Sequence, residues 1–219
     1  DPDNERISTN HFHYYESKAL KQDNGYWYFK DARLNHIASL EFAYSTRTTA
    51  DYTASVVIGV DPDSNVYILD IERFNTSDIG VYFDHLLRLY NKWDFRKLAA
   101  EVSVAQKAIV QSLKTNYIAT HGLAIKVEEV RPTRNQGSKE ERIEAILAPR
   151  YDNLQVYHYK GGNTQVLEEE LTMQNPAHDD VIDALATAVE HAVKPAKVRR
   201  NTRREDNVVW HSRFGGRAH

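Results

Sequence analysis

Residues 36–74, "HIASLEFAYSTRTTADYTASVVIGVDPDSNVYILDIERF", decide the fold. The stretch from His36 to Ser45 reads as a strand, apolar on both faces until Glu41 interrupts it. "YTASVVIGVD" and "NVYILDIERF" are β-branched runs joined by "DPDSN", a Pro/Asp/Ser turn that predicts an antiparallel hairpin. Three consecutive strands therefore open the domain, and the aromatic segment before them carries no clear pattern.

Downstream the period changes. "TSDIGVYFDHLLRLYNKW" has a Ser/Thr cap signal and apolar residues at helical spacing, namely Ile79, Phe83, Leu86, Leu87 and Tyr90. "RKLAAEVS" predicts a short buried strand ending at Glu101, and "VAQKAIVQSLKTNYIATHG" a helix closed by Gly122. "LAIKVEEV" is a further strand. After the polar loop "RPTRNQG", "SKEERIEAILAP" predicts a helix opened by a Ser-x-x-Glu capping box and stopped before Pro149. "NLQVYHYK" reads as a strand, "TQVLEEELTMQ" as a helix, and a long final helix runs on from Asp179.

Three strands, then alternating helices and strands, is an α/β order with helical crossovers. A central mixed sheet flanked by helices is expected: three antiparallel strands, then parallel ones. With no internal repeat, the simplest partition is one domain over residues 1–193 and a flexible basic tail over 194–219. The chain's net charge is −3, but the tail holds eight Lys and Arg against two acids, so it carries +6 and the body −9. Such an arm is either solvated terminus or a contact for nucleic acid or an acidic protein.

The chain has no cysteine, which excludes disulfides, Cys-ligated zinc, iron-sulfur clusters and a Cys nucleophile. No apolar run approaches the ~18 residues of a membrane span, and no signal segment opens the chain. A chain opening at Asp1 is expected to be a fragment or processed product.

The final helix begins "HDDVIDALATAV". Asp179 and Asp183 (i, i+4) share one side of a helix, as do Asp180 and Asp183 (i, i+3), and like charges at those spacings repel. Capping and the helix dipole explain one or two of them. Asp183, beside Ala184, Leu185, Ala188 and Val189, is expected to face inward. Glu41 and Glu101 fall at the carboxyl ends of the first and fourth strands, where open α/β sheets place ligands. If those strands are parallel neighbours, the acids meet under the last helix. Such a cluster needs compensation, and oxygen-only ligands select hard cations such as Mg²⁺ or Mn²⁺. Two ions about 3.5–4 Å apart would suit phosphodiester hydrolysis. Alone, Glu41 could be an edge-strand charge, Glu101 the start of a helix, and Asp51 a turn residue.

"SLEFAYSTRTTADYTASVVIGVD", "KLAAEVSVAQKAIVQSL", "GSKEERIEAILAPRYDNLQVYHY" and "HDDVIDALATAV", in this order, resemble the C-terminal nuclease domain of the tailed-bacteriophage terminase large subunit, over about His36 to Val193. That family has an RNase H-like (RuvC-like) fold. The resemblance implies Glu41, Glu101 and Asp180 as catalytic acids and Glu41, Asp51, Glu101, Asp179, Asp180 and Asp183 as ligands of two Mg²⁺ or Mn²⁺ ions. The usual first acid is Asp, so Glu41 departs from the pattern. Lys139 and Arg142 match a K-x-x-R-I signature and, with Arg131 and Arg134, are expected either to contact DNA phosphates or to be solvated. His178 is read as a cap neighbour.

The resemblance implies an endonuclease acting on concatemeric double-stranded DNA at the procapsid portal in the host cytoplasm, with an ATPase domain, portal protein and small terminase subunit as partners. No membrane partner is implied, and the isolated domain is expected to be monomeric. No G-x-x-x-x-G-K-[ST] loop is present, so no ATP hydrolysis is expected. Two alternatives stay open: a Holliday-junction resolvase or transposase relative, and a catalytically weak module that docks on portal and DNA.

Overall fold

The computed structural model describes residues 5–43, 52–131, 138–174 and 176–197. Its strands and helices are, in chain order, β1 (His13–Tyr14), β2 (Leu20–Asp23), β3 (Tyr26–Phe29), β4 (Ala32–Glu41), β5 (Thr53–Val60), β6 (Val66–Phe74), α1 (Ile79–Trp93), β7 (Lys97–Glu101), α2 (Lys107–Ser112), β8 (Lys126–Val130), α3 (Lys139–Asp152), β9 (Val156–His158), α4 (Thr164–Thr172) and α5 (Asp180–His191).

Every residue of β5 is buried, as expected of a central strand covered on both faces. It pairs antiparallel with β4 on one side and β6 on the other. The carboxyl half of β4 pairs parallel with β7, which pairs parallel with β8. The amino half of β4 instead pairs with β3 in a meander with β2, and β9 joins β6 and β1 in parallel. The described strands thus form one mixed sheet with helices on both faces.

The turn predicted at "DPDSN" forms. The Asp61 carboxylate accepts from the backbone N–H of Asp63 and of Asn65, both at 2.9 Å, and Ser64 takes a positive φ of 71°. The segment before His36, which shows no clear pattern in the sequence, holds β1, β2, β3 and the first residues of β4, with ring contacts such as Trp27–Trp93 at 5.3 Å. Three expectations need correction. The cap of α1 is Asp78, whose side chain accepts from Gly80 N–H, rather than a Ser or Thr. The helix predicted over 104–122 is α2 followed by six residues (Leu113–Ile118) of wider winding, in which Ala119 N–H donates to Lys114 O, five residues back. Finally, α3 does not stop before Pro149 but continues to Asp152. The missing N–H costs one helical bond. The added turn buries Tyr151, whose hydroxyl meets His158 at 2.8 Å.

One irregularity governs which side chains face the site. In the β5–β6 pair, Val57 is opposite Asp70 but Ile58 is opposite Ile68, so β6 carries one extra residue there. A bulge of this kind exchanges the faces of everything beyond it. Val66 and Ile68 face α5, and after the bulge so do Ile71 and Arg73. Glu72 turns to the other face, where it pairs with His85 and Arg88 of α1.

Nine consecutive residues of α5, Val181 to Val189, are buried, which marks a helix enclosed on all sides rather than a surface one. Its small residues Ala184, Ala186 and Ala188 allow close approach to the sheet, and the Ser39 hydroxyl of β4 donates to Ala184 O at 2.6 Å. Fully burying side chains such as Ile182 and Leu185 contributes about 1.5–3 kcal/mol each. Beyond α5 the chain stays docked through residue 197. Pro195 is buried, Lys194 Nζ donates to Ser64 Oγ at 3.2 Å and Lys197 pairs with Asp63 at 2.5 Å. The remainder of the basic tail lies outside the described residues. Among them, no helix is long and apolar enough to cross a membrane.

Candidate metal centre

Residues 37, 39 and 41 of β4 face α5, as do Ala54 of β5 and Ala99 of β7. Glu101 lies two residues beyond Ala99, on the same face, and one residue past the Leu40–Ala100 pair, so it is beside Glu41. Both carboxylates stand at the carboxyl ends of adjacent parallel strands. Asp183, one turn into α5, descends onto them with 0% exposure. Glu41, Glu101 and Asp183 each offer an oxygen within 4.8 Å of the others.

Burial pushes the Glu41 carboxyl well above the usual carboxylate range, and the charges of Asp183 and Glu101 push it the same way. Glu101 is raised by burial and by Asp183. Two cations from α3 oppose this. Arg142 donates to Asp183 Oδ1 at 2.7 Å, to Glu101 Oε2 at 3.3 Å and to Glu190 at 3.0 Å, with its side chain only 12% exposed. Lys139 Nζ lies 2.9 Å from Asp183 Oδ2 and 3.2 Å from Asp179 Oδ1. Burial works against the Lys139 charge, but Asp183 and Asp179 hold its pKa above the ordinary lysine value. The capping box of Ser138 and Glu141 fixes the start of α3 and hence where these cations emerge.

Compensation is incomplete. Glu41 Oε2 is buried with no hydrogen-bond partner, and Asp183 Oδ2 faces Lys139 without hydrogen-bond geometry. Three convergent carboxylates, an orphaned carboxylate oxygen and, among the described residues, no histidine in the cluster fit a hard divalent cation.

The six acids named from the sequence divide. Glu41, Glu101 and Asp183 converge. Asp179 is the residue before α5 and meets Lys139. Asp180, expected as the third catalytic acid, is not in the converging trio. It opens α5, and burial followed by the Asp179 charge raises its pKa. The reason is helical phase: Asp183, a turn deeper, is the acid that faces the two strand ends. Asp51 and Arg134 lie outside the described residues, and Arg131 is exposed just after β8. Lys139 and Arg142, expected either on phosphates or in solvent, are here on the acids. His178 packs edge-on against Tyr52, with ring centroids 5.5 Å apart.

Sequence reasoning missed Glu170 of α4. It is 3% exposed, and its Oε2 accepts from Ile182 N–H at 2.8 Å, pinning the first turn of α5. Burial pushes its carboxyl up to about 7, partly offset by that N–H. The signal was its spacing of three from Leu167 on the apolar stripe of α4.

No protein-family model matches the chain, and no curated protein does. Among solved structures, the large terminase nuclease from thermophilic phage G20c is similar at a TM-score of 0.58 and 18% identity, covering 86% of this chain and 98% of that one. Its magnesium-bound form is similar at a TM-score of 0.55 and 18% identity, covering 86% and 97%. The zinc-bound form scores 0.54 at 18% identity, covering 83% and 95%. This chain therefore has the RNase H-like fold of the phage large-terminase nuclease.

Proposed function

We propose that the chain is a divalent-metal-dependent endodeoxyribonuclease, the nuclease part of a viral DNA-packaging terminase that cuts concatemeric double-stranded DNA. The observation that carries the reading is the convergence of Glu41, Glu101 and Asp183 at the ends of two parallel strands, with a carboxylate oxygen left unpaired. The shared fold of the phage nucleases supports it.

Glu41, Glu101 and Asp183 would hold Mg²⁺ or Mn²⁺, with Asp179, Asp180 and, by the resemblance alone, Asp51 assigned to a second ion. Two such ions, when bound, would supply Lewis acidity for phosphodiester hydrolysis. The chain's own residues set the conditions. Burial of Glu41 and Asp183 keeps bulk water from screening the site, and the Ser39–Ala184 and Glu170–Ile182 bonds hold α5 in register over the strands. The catalytic role that the resemblance gave Asp180 falls to Asp183 in this reading. Lys139, its side chain 40% exposed, would turn to phosphate once a cation takes its carboxylate partners, while Arg142 stays among the acids. Phosphate contacts of this kind, including Arg131 and Arg134, position DNA without reading its sequence.

In the full motor the partners would be an ATPase domain, the portal protein and the small terminase subunit, at the procapsid portal in the host cytoplasm. The test is incubation of the purified chain with supercoiled plasmid and Mn²⁺ or Mg²⁺, beside Asp183→Asn. Conversion to nicked and linear DNA by the wild type alone supports the reading. Equal cleavage by the variant sinks it, preference for four-way junctions over linear duplex favours a resolvase, and DNA binding without cleavage favours a docking module.

A further inference from the structure

The row of residues across the sheet does not end at the acids. Beside Glu41 comes Ala54 on β5, and beside Ala54 comes Arg73 on β6. All share the face under α5, and Arg73 is there only because of the bulge at Leu69–Asp70. Without that extra residue Arg73 would face α1. The row therefore has a cation at each end, Arg142 on Glu101 at one and Arg73 at the other.

The two cations differ in how they are used. Arg142 has three carboxylate partners. Arg73 has no ion pair within 4.0 Å among the described residues, and its Nε and Nη2 are buried without a hydrogen-bond partner. Its guanidinium instead lies 3.9 Å over the Tyr52 ring, which His178 buttresses edge-on. Glu170 and Asp180 are close enough to feel its charge, yet neither takes it as a hydrogen-bond partner. Stacking holds the guanidinium plane while Nε and Nη2 stay without a hydrogen-bond partner, which suits a planar fork that a phosphate would complete. The spacing also fits. Two strand intervals set the Arg73 backbone roughly 10 Å from that of Glu41, within reach of neighbouring phosphates of one DNA strand.

We propose that Arg73, stacked on Tyr52, forms a phosphate-binding subsite that holds the cleaved DNA strand at a phosphate close to the metal centre. The inference rests on the nuclease reading above. The guanidinium donates to a non-bridging phosphate oxygen, and the strand then lies along the row from β6 toward Glu41 and Glu101.

The test uses Arg73→Ala, Arg73→Gln and Arg73→Lys in the full chain, with plasmid nicking kinetics in Mn²⁺ and anisotropy of a short labelled duplex in Ca²⁺ across a salt series. For Arg73→Ala we expect KM about tenfold higher with kcat changed less than about twofold, and a salt slope of log K reduced by about one. Arg73→Gln, which keeps most of the side-chain volume, repeats that loss and serves if the alanine variant fails to fold. Arg73→Lys restores the salt slope but not the full affinity, because it keeps the charge without the fork. Unchanged binding and KM in the variants would overturn the subsite. So would a changed Mn²⁺ affinity by calorimetry with an unaltered salt slope, which would make Arg73 a counter-charge for Asp180 and Glu170. A wild type that neither binds nor nicks DNA sinks the nuclease reading itself, whereas a nicking wild type with indifferent Arg73 variants sinks the subsite alone.

Discussion

Arg142→Met isolates the electrostatics of the centre. Methionine keeps most of the side-chain volume and removes the one group among the described residues that touches Asp183, Glu101 and Glu190 together. Lys139 alone would then face the acids, and Glu41 Oε2 would remain unpaired. Removing one partner of a buried charge pair costs about 3–5 kcal/mol. At about 2–4 °C per kcal/mol for a domain of this size, the melting temperature in EDTA should fall by roughly 6–20 °C. The deficit should shrink as pH is lowered, because Glu41 and Glu101, already raised, escape by taking up protons. A divalent cation should restore much of the loss, since binding at a hundredfold excess over Kd adds about 2.7 kcal/mol. Thermal melts by circular dichroism, in EDTA and in Mg²⁺, read all three effects. The reasoning is refuted if the variant melts within about a degree of wild type in EDTA, or if Mg²⁺ raises both proteins equally.

Further outcomes follow from the same geometry. Glu41→Gln removes a buried carboxylate that Asp183 and Glu101 repel, so the metal-free protein should gain about 0.5–2 kcal/mol while nicking falls at least about a hundredfold; a variant that is less stable, or still active, contradicts this. Glu170 has its pKa raised on folding, so the native state holds the proton more tightly. Its contribution is full below about 4.5 and is lost as pH rises to about 7, on the order of 3 kcal/mol. Glu170→Gln can keep the Ile182 N–H bond and should lack that slope, so its melting temperature should gain on wild type between those pH values. Parallel curves would show that Glu170 does not titrate there.

Much of this site was legible in the chain because its parts are local. The turn at "DPDSN" and the β-branched runs beside it announce β5 and β6, and an acid closing each of two apolar strands is visible without coordinates. The inward position of Asp183 followed from its apolar neighbours, and the parallel pairing of β4 with β7 that joins Glu41 to Glu101 was the condition on which the site was framed. What escaped depends on non-local geometry. Arg73 was hidden because a period-2 reading of "NVYILDIERF" cannot see the bulge that moves it to the site face. The choice between Asp180 and Asp183 turned on how deeply α5 sits over the sheet. Lys139 and Arg142 stood out as cations, but their carboxylate partners lie some forty residues away. The first strands were missed because ring packing, as between Trp27, His36 and Trp93, rather than alternation organises them.

The central claim is that Glu41, Glu101 and Asp183 form a seat for a divalent cation. Anomalous scattering from a crystal of the protein equilibrated with Mn²⁺ tests it most directly. The account predicts a peak bounded by those three carboxylates, with Lys139 drawn back from Asp183. An ion bound only by Asp179 and Asp180, or no peak while Lys139 and Arg142 keep their grip on Asp183, would contradict it.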